Sequence, residues 1–264
     1  MISHRHQCLF VHIPKCAGQS VERLFLELHG LTWKTREPLL LRYNSDPTQG
    51  PPRLAHLKAS EYVKCGHVTS DQYQNYFKFA FVRNPWDRLV SLRKHLGFAH
   101  SVDFKTFAMK IFPNEIWKEM HWFVGPQSDF LYGPDGELLV DFVGRFEKLA
   151  EDFHQVCLQS GLPPKPLPRS NQARSLRRML SKFRQVGPHM LQHPLQTARS
   201  LWNVTRPQPA SQPSHGVRHY EQYFDKESQE FIANLYQADI ANFGYRFGVT
   251  DECQKPLPNR NAAA

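Results

Sequence analysis

Phe10-Val11-His12-Ile13-Pro14-Lys15-Cys16-Ala17-Gly18-Gln19-Ser20 decides how this chain is read. The apolar run from Cys8 to Val11 has the length of a buried strand. Pro14 stops it, and Gly18 allows a tight turn. Val21, Leu24, Phe25 and Leu28 then recur at helical spacing. The order is strand, short loop, helix, with the loop at a helix N-terminus. Unpartnered backbone N–H groups and the positive end of the helix dipole suit a phosphate or sulfate there. Lys15 adds a cation and Ser20 a hydroxyl. No Gly-Lys-Ser/Thr follows the glycine, so the nucleoside-triphosphatase pattern is absent. Alone, the loop reads equally well as a basic turn that binds nothing.

A second stretch, Phe79-Ala80-Phe81-Val82-Arg83-Asn84-Pro85-Trp86-Asp87-Arg88-Leu89-Val90-Ser91, repeats the grammar. A buried strand ends at Arg83, Pro85 opens a helix, and the helix runs on to His95. Arg83 and Ser91 lie about two helical turns apart, so they converge only if Arg83 folds back from the strand end. An arginine fork beside a hydroxyl suits a terminal phosphate. The plainer alternative pairs Arg83 with Asp87 and leaves Ser91 as an ordinary surface residue.

With both stretches in view, IPKCAGQS and FVRNPWDRLVS resemble the two donor-binding signatures of the Golgi-type, sulfotransferase family 2-like carbohydrate sulfotransferases. Gly66-His67-Val68, between them, resembles the Gly-His-Val of heparan sulfate 2-O-sulfotransferases. The resemblance is tight from Cys8 to Leu96 and returns loosely around His219–Phe224 and Asp239–Tyr245. It implies an α/β, P-loop-like three-layer fold with a central, mostly parallel sheet flanked by helices. It further implies transfer of a sulfuryl group from 3′-phosphoadenosine 5′-phosphosulfate (PAPS) to a hydroxyl of a carbohydrate or glycoconjugate, with no metal. On this reading Lys15, Cys16, Ala17, Gly18, Gln19 and Ser20 hold the 5′-phosphosulfate, and Lys15 also stabilises the bridging oxygen as it leaves. Arg83 and Ser91 hold the 3′-phosphate, with Arg88 beside them. His67 is the expected base, with His12 next and Glu22 third. The related enzymes carry His-Gly-His where this chain has Cys65-Gly66-His67. Arg145 and Glu147 lie in a segment that resembles a family element near donor and acceptor, although a structural ion pair suits them better.

The chain has 264 residues, enough for one large α/β domain. A single domain over 1–264 is expected. Lys plus Arg number 33 against 24 Asp plus Glu, a net charge of +9 that favours anionic partners. Nine of the basic residues and none of the acidic ones lie between Lys165 and His215, so the whole excess sits in that Pro-rich stretch. Leu176, Met179, Leu180 and Phe183 follow helical spacing there beside Arg174, Arg177 and Arg178. The stretch, about 165–215, reads as an insertion. A surface loop is the first reading, followed by a clamp for an acidic glycan and a membrane-surface helix. Nucleic acid is not expected, since Trp202 is the one stacking aromatic after Phe183. The sequon Asn203-Val204-Thr205 is read as chance.

Five cysteines at scattered spacing contain no Cys-x-x-Cys pair, so neither a zinc site nor a disulfide framework is expected. A helix N-terminus lowers a thiol's pKa, which makes Cys16 either a nucleophile or, the preferred reading, a small loop residue. The N-terminus leads directly into the first strand and no apolar run reaches membrane-span length. A soluble cytoplasmic protein is expected, bacterial or separated from the anchor that animal Golgi enzymes carry. Along the chain, Leu31 to Leu57 reads as a loop-rich excursion, Tyr62 to Val68 as the second strand and Lys78 to Val82 as the third. Convergence of His12, His67 and Arg83 at C-terminal strand ends would make one site. A phosphotransferase using the same loop, and a non-catalytic protein docking anionic partners, are the two competing classes.

Overall fold

The computed structural model describes residues 1–168, 219–249, 257 and 259. The expected basic helix, the sequon and nearly all of the 165–215 stretch lie outside the described residues. Four strands form one sheet in the order β1 (Ile2–Ser3), β2 (Cys8–Val11), β3 (Phe77–Val82) and β4 (Phe142–Arg145). β1 is antiparallel to β2, while β2, β3 and β4 run parallel. Phe10 lies opposite Phe79, and Phe81 opposite Gly144. That register brings the ends of β2 and β3 to the same edge, which sets the loop after Val11 beside the turn after Val82.

All of β2 is buried, and so is β3 from Lys78 onward, so the sheet is a middle layer. On one face Phe10 stacks on Phe79 with centroids 5.1 Å apart. Helix α1 (Gly18–Leu28) brings Phe25 to 6.4 Å from Phe79. Helix α2 (Pro85–His95) follows β3 directly. Helix α3 (Leu149–Ser160) brings Phe153 to 6.4 Å from Phe81 and ends at the left-handed Gly161. A Cβ at Gly144 has no room, since it would lie 2.5 Å from the Phe81 ring. Lys78 is the one charged residue inside β3. Its ammonium is held by Asp141 at 2.8 Å and by the Tyr76 carbonyl at 2.7 Å. Helices α4 (Lys226–Leu235) and α5 (Gln237–Phe243) close the described fold, α4 through a bond from Trp86 Nε1 to the Gln229 carbonyl at 3.0 Å.

The expected second strand, Tyr62 to Val68, is a correction. Glu61–Lys64 is one helical turn. The Glu61 carboxylate accepts from the Lys58 N–H at 2.7 Å and so starts the turn. Gly66 ends it with φ +73°, while the His67 and Val68 N–H groups both return to the Tyr62 carbonyl. The turn at Gly133–Gly136 is flanked by an isolated bridge between Tyr132 and Leu138. The short helix Phe104–Thr106 continues past Pro113 as a π-helical stretch, Phe107–Ile116. Among the described residues no helix is long and apolar enough to cross a membrane.

Candidate active site

The two strand-to-helix turns meet. Arg83 Nη1 donates to the Lys15 carbonyl at 3.1 Å, and both residues line one cavity of about 1100 Å³. Lys15, Ala17, Gly18, Gln19 and Ser20 form its floor, and Arg83 and Ser91 line it from the second turn. Lys15 and Ala17 both have positive φ (71° and 65°), and Cys16 between them does not. That alternation is the backbone form that gathers N–H groups around an anion. Helix α1 has no side-chain cap and no acid in its first turn. Its opening N–H groups therefore face the loop without a carboxylate of the chain's own competing for them.

Arg83 has three partners. Its guanidinium pairs with Asp87 at 2.7 Å, donates to Lys15, and lies 4.0 Å from the Phe146 ring centroid. The Asp87 pairing and the fold-back over the helix, set against each other on sequence, therefore coexist. The second helix is closed where the first is open. Asn84 Oδ1 accepts from the Trp86 and Asp87 N–H groups at 3.1 and 3.4 Å, and Pro85 has no N–H to offer.

Arg88 is a correction. It is fully buried, and its guanidinium donates to the carbonyls of Pro14, Phe123, Val124 and Gly125. It props the Lys15–Ser20 loop from behind and does not line the cavity. Cys16 is a correction in place, since it does not line the cavity, while its chemistry fits the small loop residue preferred on sequence. Burial pushes its thiol up to about 12, overriding the helix terminus and the nearby Arg88 and Arg83. Its Sγ lies 3.2 Å from Gln127 Oε1. Gln127 also accepts from the Arg83 N–H and donates to the Arg83 carbonyl, both at 2.8 Å. One buried amide thus ties the two turns together, and Asp239 on α5 holds it from the Gln127 N–H at 2.9 Å.

His67 is a third correction. It does not line the cavity, and its Nε2 donates to the Gln49 carbonyl at 2.7 Å. Its expected place at a strand end vanishes with the strand. His12 and Glu22 do line the cavity, together with His56, which sequence reasoning passed over. Arg145 and Glu147 point inward. Arg145 donates to the Phe243 carbonyl at 2.8 Å, and Glu147 accepts from the Asn84 N–H at 2.7 Å. The residue between them, Phe146, is the one that reaches the cavity.

Beyond the His12 end, the rim comes from the Leu31–Leu57 excursion. Trp33, Arg36, Arg42, Tyr43 and Arg53 line it. Arg36 lies over Trp33 at 4.7 Å and Arg53 over Tyr43 at 4.8 Å. Alternating arginine and aromatic residues in a Pro-rich loop were the available signal, but without periodicity they point nowhere.

This arrangement has a recognised counterpart in sequence. A model of the sulfotransferase family matches residues 1–246, and the chain belongs to that family. Searches among curated proteins and solved structures returned no match.

Proposed function

We propose that the protein is a PAPS-dependent sulfotransferase that moves a sulfuryl group to a hydroxyl of an anionic carbohydrate or glycoconjugate. The observation that carries this reading is the contact of Lys15 with Arg83 across one cavity. A ligand with an anion at each end of an adenosine is what two such turns can grip together. Family membership supports sulfuryl transfer in general.

The uncapped start of α1 and the loop N–H groups from Lys15 to Ser20 hold the 5′-phosphosulfate. Arg83 and Ser91 hold the 3′-phosphate, and Phe146 and Leu149 offer apolar surface beside it. Lys15 neutralises the charge that grows on the bridging oxygen as the bond to sulfur breaks. The protein's remaining work is to keep donor and acceptor in line and to take one proton. Trp33 and Tyr43 suit the apolar face of a ring, and Arg36, Arg42 and Arg53 suit a carboxylate or sulfate on the same acceptor.

Calorimetric titration with adenosine 3′,5′-bisphosphate, against ATP, tests the reading. Tight bisphosphate binding is expected. Preference for ATP would indicate a phosphotransferase, and binding of neither would indicate a docking protein without catalysis.

A further inference from the structure

We infer that His12, oriented by Glu22 and seated by His56, is the group that takes the acceptor's proton. The inference deepens the sulfuryl-transfer reading and rests on it. His12 follows β2 at once, and Glu22 sits one turn into α1, so the strand-loop-helix unit itself brings them together. His12 Nδ1 lies 2.6 Å from Glu22 Oε1, and both side chains are nearly buried. Facing a carboxylate, which can only accept, Nδ1 is the donor, so in the neutral tautomer the lone pair is on Nε2.

Two contacts hold the ring still. It stacks on Phe10 at 5.5 Å and meets the His56 ring at 4.5 Å. His56 Nδ1 donates to the His12 carbonyl at 2.9 Å, which fixes the backbone that carries the imidazole. Burial and the neighbouring His12 keep His56 well below the usual histidine range, so it stays neutral.

Gly18 shows how closely the imidazole packs on the loop. A Cβ built there would lie 1.9 Å from both Nε2 and Cδ2 of His12. With Cε1 at 2.4 Å as well, the face of the imidazole packs on Gly18, and the ring lines the cavity beside Lys15 and Ser20, where the sulfuryl group would be held. Among the described residues Nε2 has no hydrogen-bond partner. A glycine at this position serves the imidazole as much as the turn.

In the step, Nε2 removes the acceptor hydroxyl proton while the acceptor oxygen bonds to sulfur. The sulfur–oxygen bridge to the 5′-phosphate breaks, and its electron pair stays on the phosphate oxygen, beside Lys15. Glu22 remains a carboxylate and stabilises the imidazolium, which then returns its proton to water. His12 is the catalytic residue, and Glu22 and His56 are positioning residues. The other titratable or charged groups facing the pair are Arg53 beside His56, and Tyr62 and the Met1 amino group, whose pKa burial lowers to about 5, near Glu22.

The test uses the full chain as wild type, His12→Gln, Glu22→Gln and His67→Ala. Three quantities are read: bisphosphate affinity, release of label from ³⁵S-PAPS to water and to desulfated heparin, and the histidine ¹⁵N spectrum. H12Q is expected to lose label release by on the order of a hundredfold or more while binding bisphosphate within about threefold. E22Q is expected to lose at least about tenfold in label release, to keep bisphosphate affinity, and to move the His12 Nδ1 signal. In wild type, His12 should show a protonated Nδ1 and an unprotonated Nε2 whose signal shifts on adding bisphosphate. An Nε2-protonated His12, a signal indifferent to bisphosphate, or loss of turnover in H67A but not H12Q would overturn the proposal. Wild-type protein that binds no bisphosphate would instead remove the sulfuryl-transfer reading beneath it. Should H12Q fail to fold, the isosteric E22Q and the wild-type spectrum still decide.

Discussion

The turns after β2 and β3 share a plan and differ in how their helices begin. Each follows a buried parallel strand, and each carries a cation at the bend. After β2, helix α1 opens without a cap, and two residues with positive φ turn the backbone toward the cavity. After β3, Asn84 caps α2 with its own side chain and Pro85 withholds an N–H. The first turn thus leaves its helix start uncapped, while the second closes its own and offers side chains. One plan yields two kinds of grip because a single side chain decides whether the helix start is spent internally or left open.

Removing the shared support should do most damage. Arg88→Met leaves four buried carbonyls short of a donor and is expected to lower stability by about 3–5 kcal/mol, read from the denaturation midpoint. An unchanged midpoint would mean that the loop stands without its prop. Next, Arg83→Ala should weaken bisphosphate binding by about 2–4 kcal/mol, on the order of thirtyfold to a thousandfold. Calorimetry on the folded variant checks this, and an unaltered affinity would leave the second turn without a role.

Closing the first turn as the second is closed sharpens the contrast. Ala17→Asp places a carboxylate at the start of α1, in a left-handed position that aspartate tolerates. The thermal midpoint should hold or rise, while bisphosphate affinity falls on the order of tenfold or more. Opening the second turn with Asn84→Ala should do the reverse, costing about 1 kcal/mol of stability and little affinity.

The strand-to-helix units were legible because buried parallel strands are uniformly apolar and their helices keep a 3.6 period. Pro85–His95 was read with its observed bounds for that reason. Tyr62 to Val68 misled because β-prone residues there are shaped by local caps, Glu61 before and Gly66 after, that outweigh propensity. His67 followed from a three-residue resemblance, and its placement depended on that strand. His56 and the Trp33–Arg53 rim were illegible because their positions come from tertiary contacts across a loop with no period. Arg88 looked like a phosphate ligand because sequence does not show which way a helix face turns.

His56 adds a pH dependence. Its folded pKa is lowered, so below the ordinary value of 6.5 the unfolded chain binds a proton that the folded one resists. Stability contributed by the neutral ring is present above that pH and is lost as pH falls, at up to about 1.4 kcal/mol per pH unit for one proton. His56→Gln should flatten that slope between pH 6.5 and 5, measured by urea midpoints; an equal slope in both proteins would assign the proton elsewhere.

Asp239 arrives late. The carboxylate that steadies Gln127, and through it both turns, belongs to a helix made more than a hundred residues after the loops it braces. A ribosome-bound chain already carrying both turns would still lack the keystone. The two turns therefore gain their shared brace only when the carboxy-terminal helices dock.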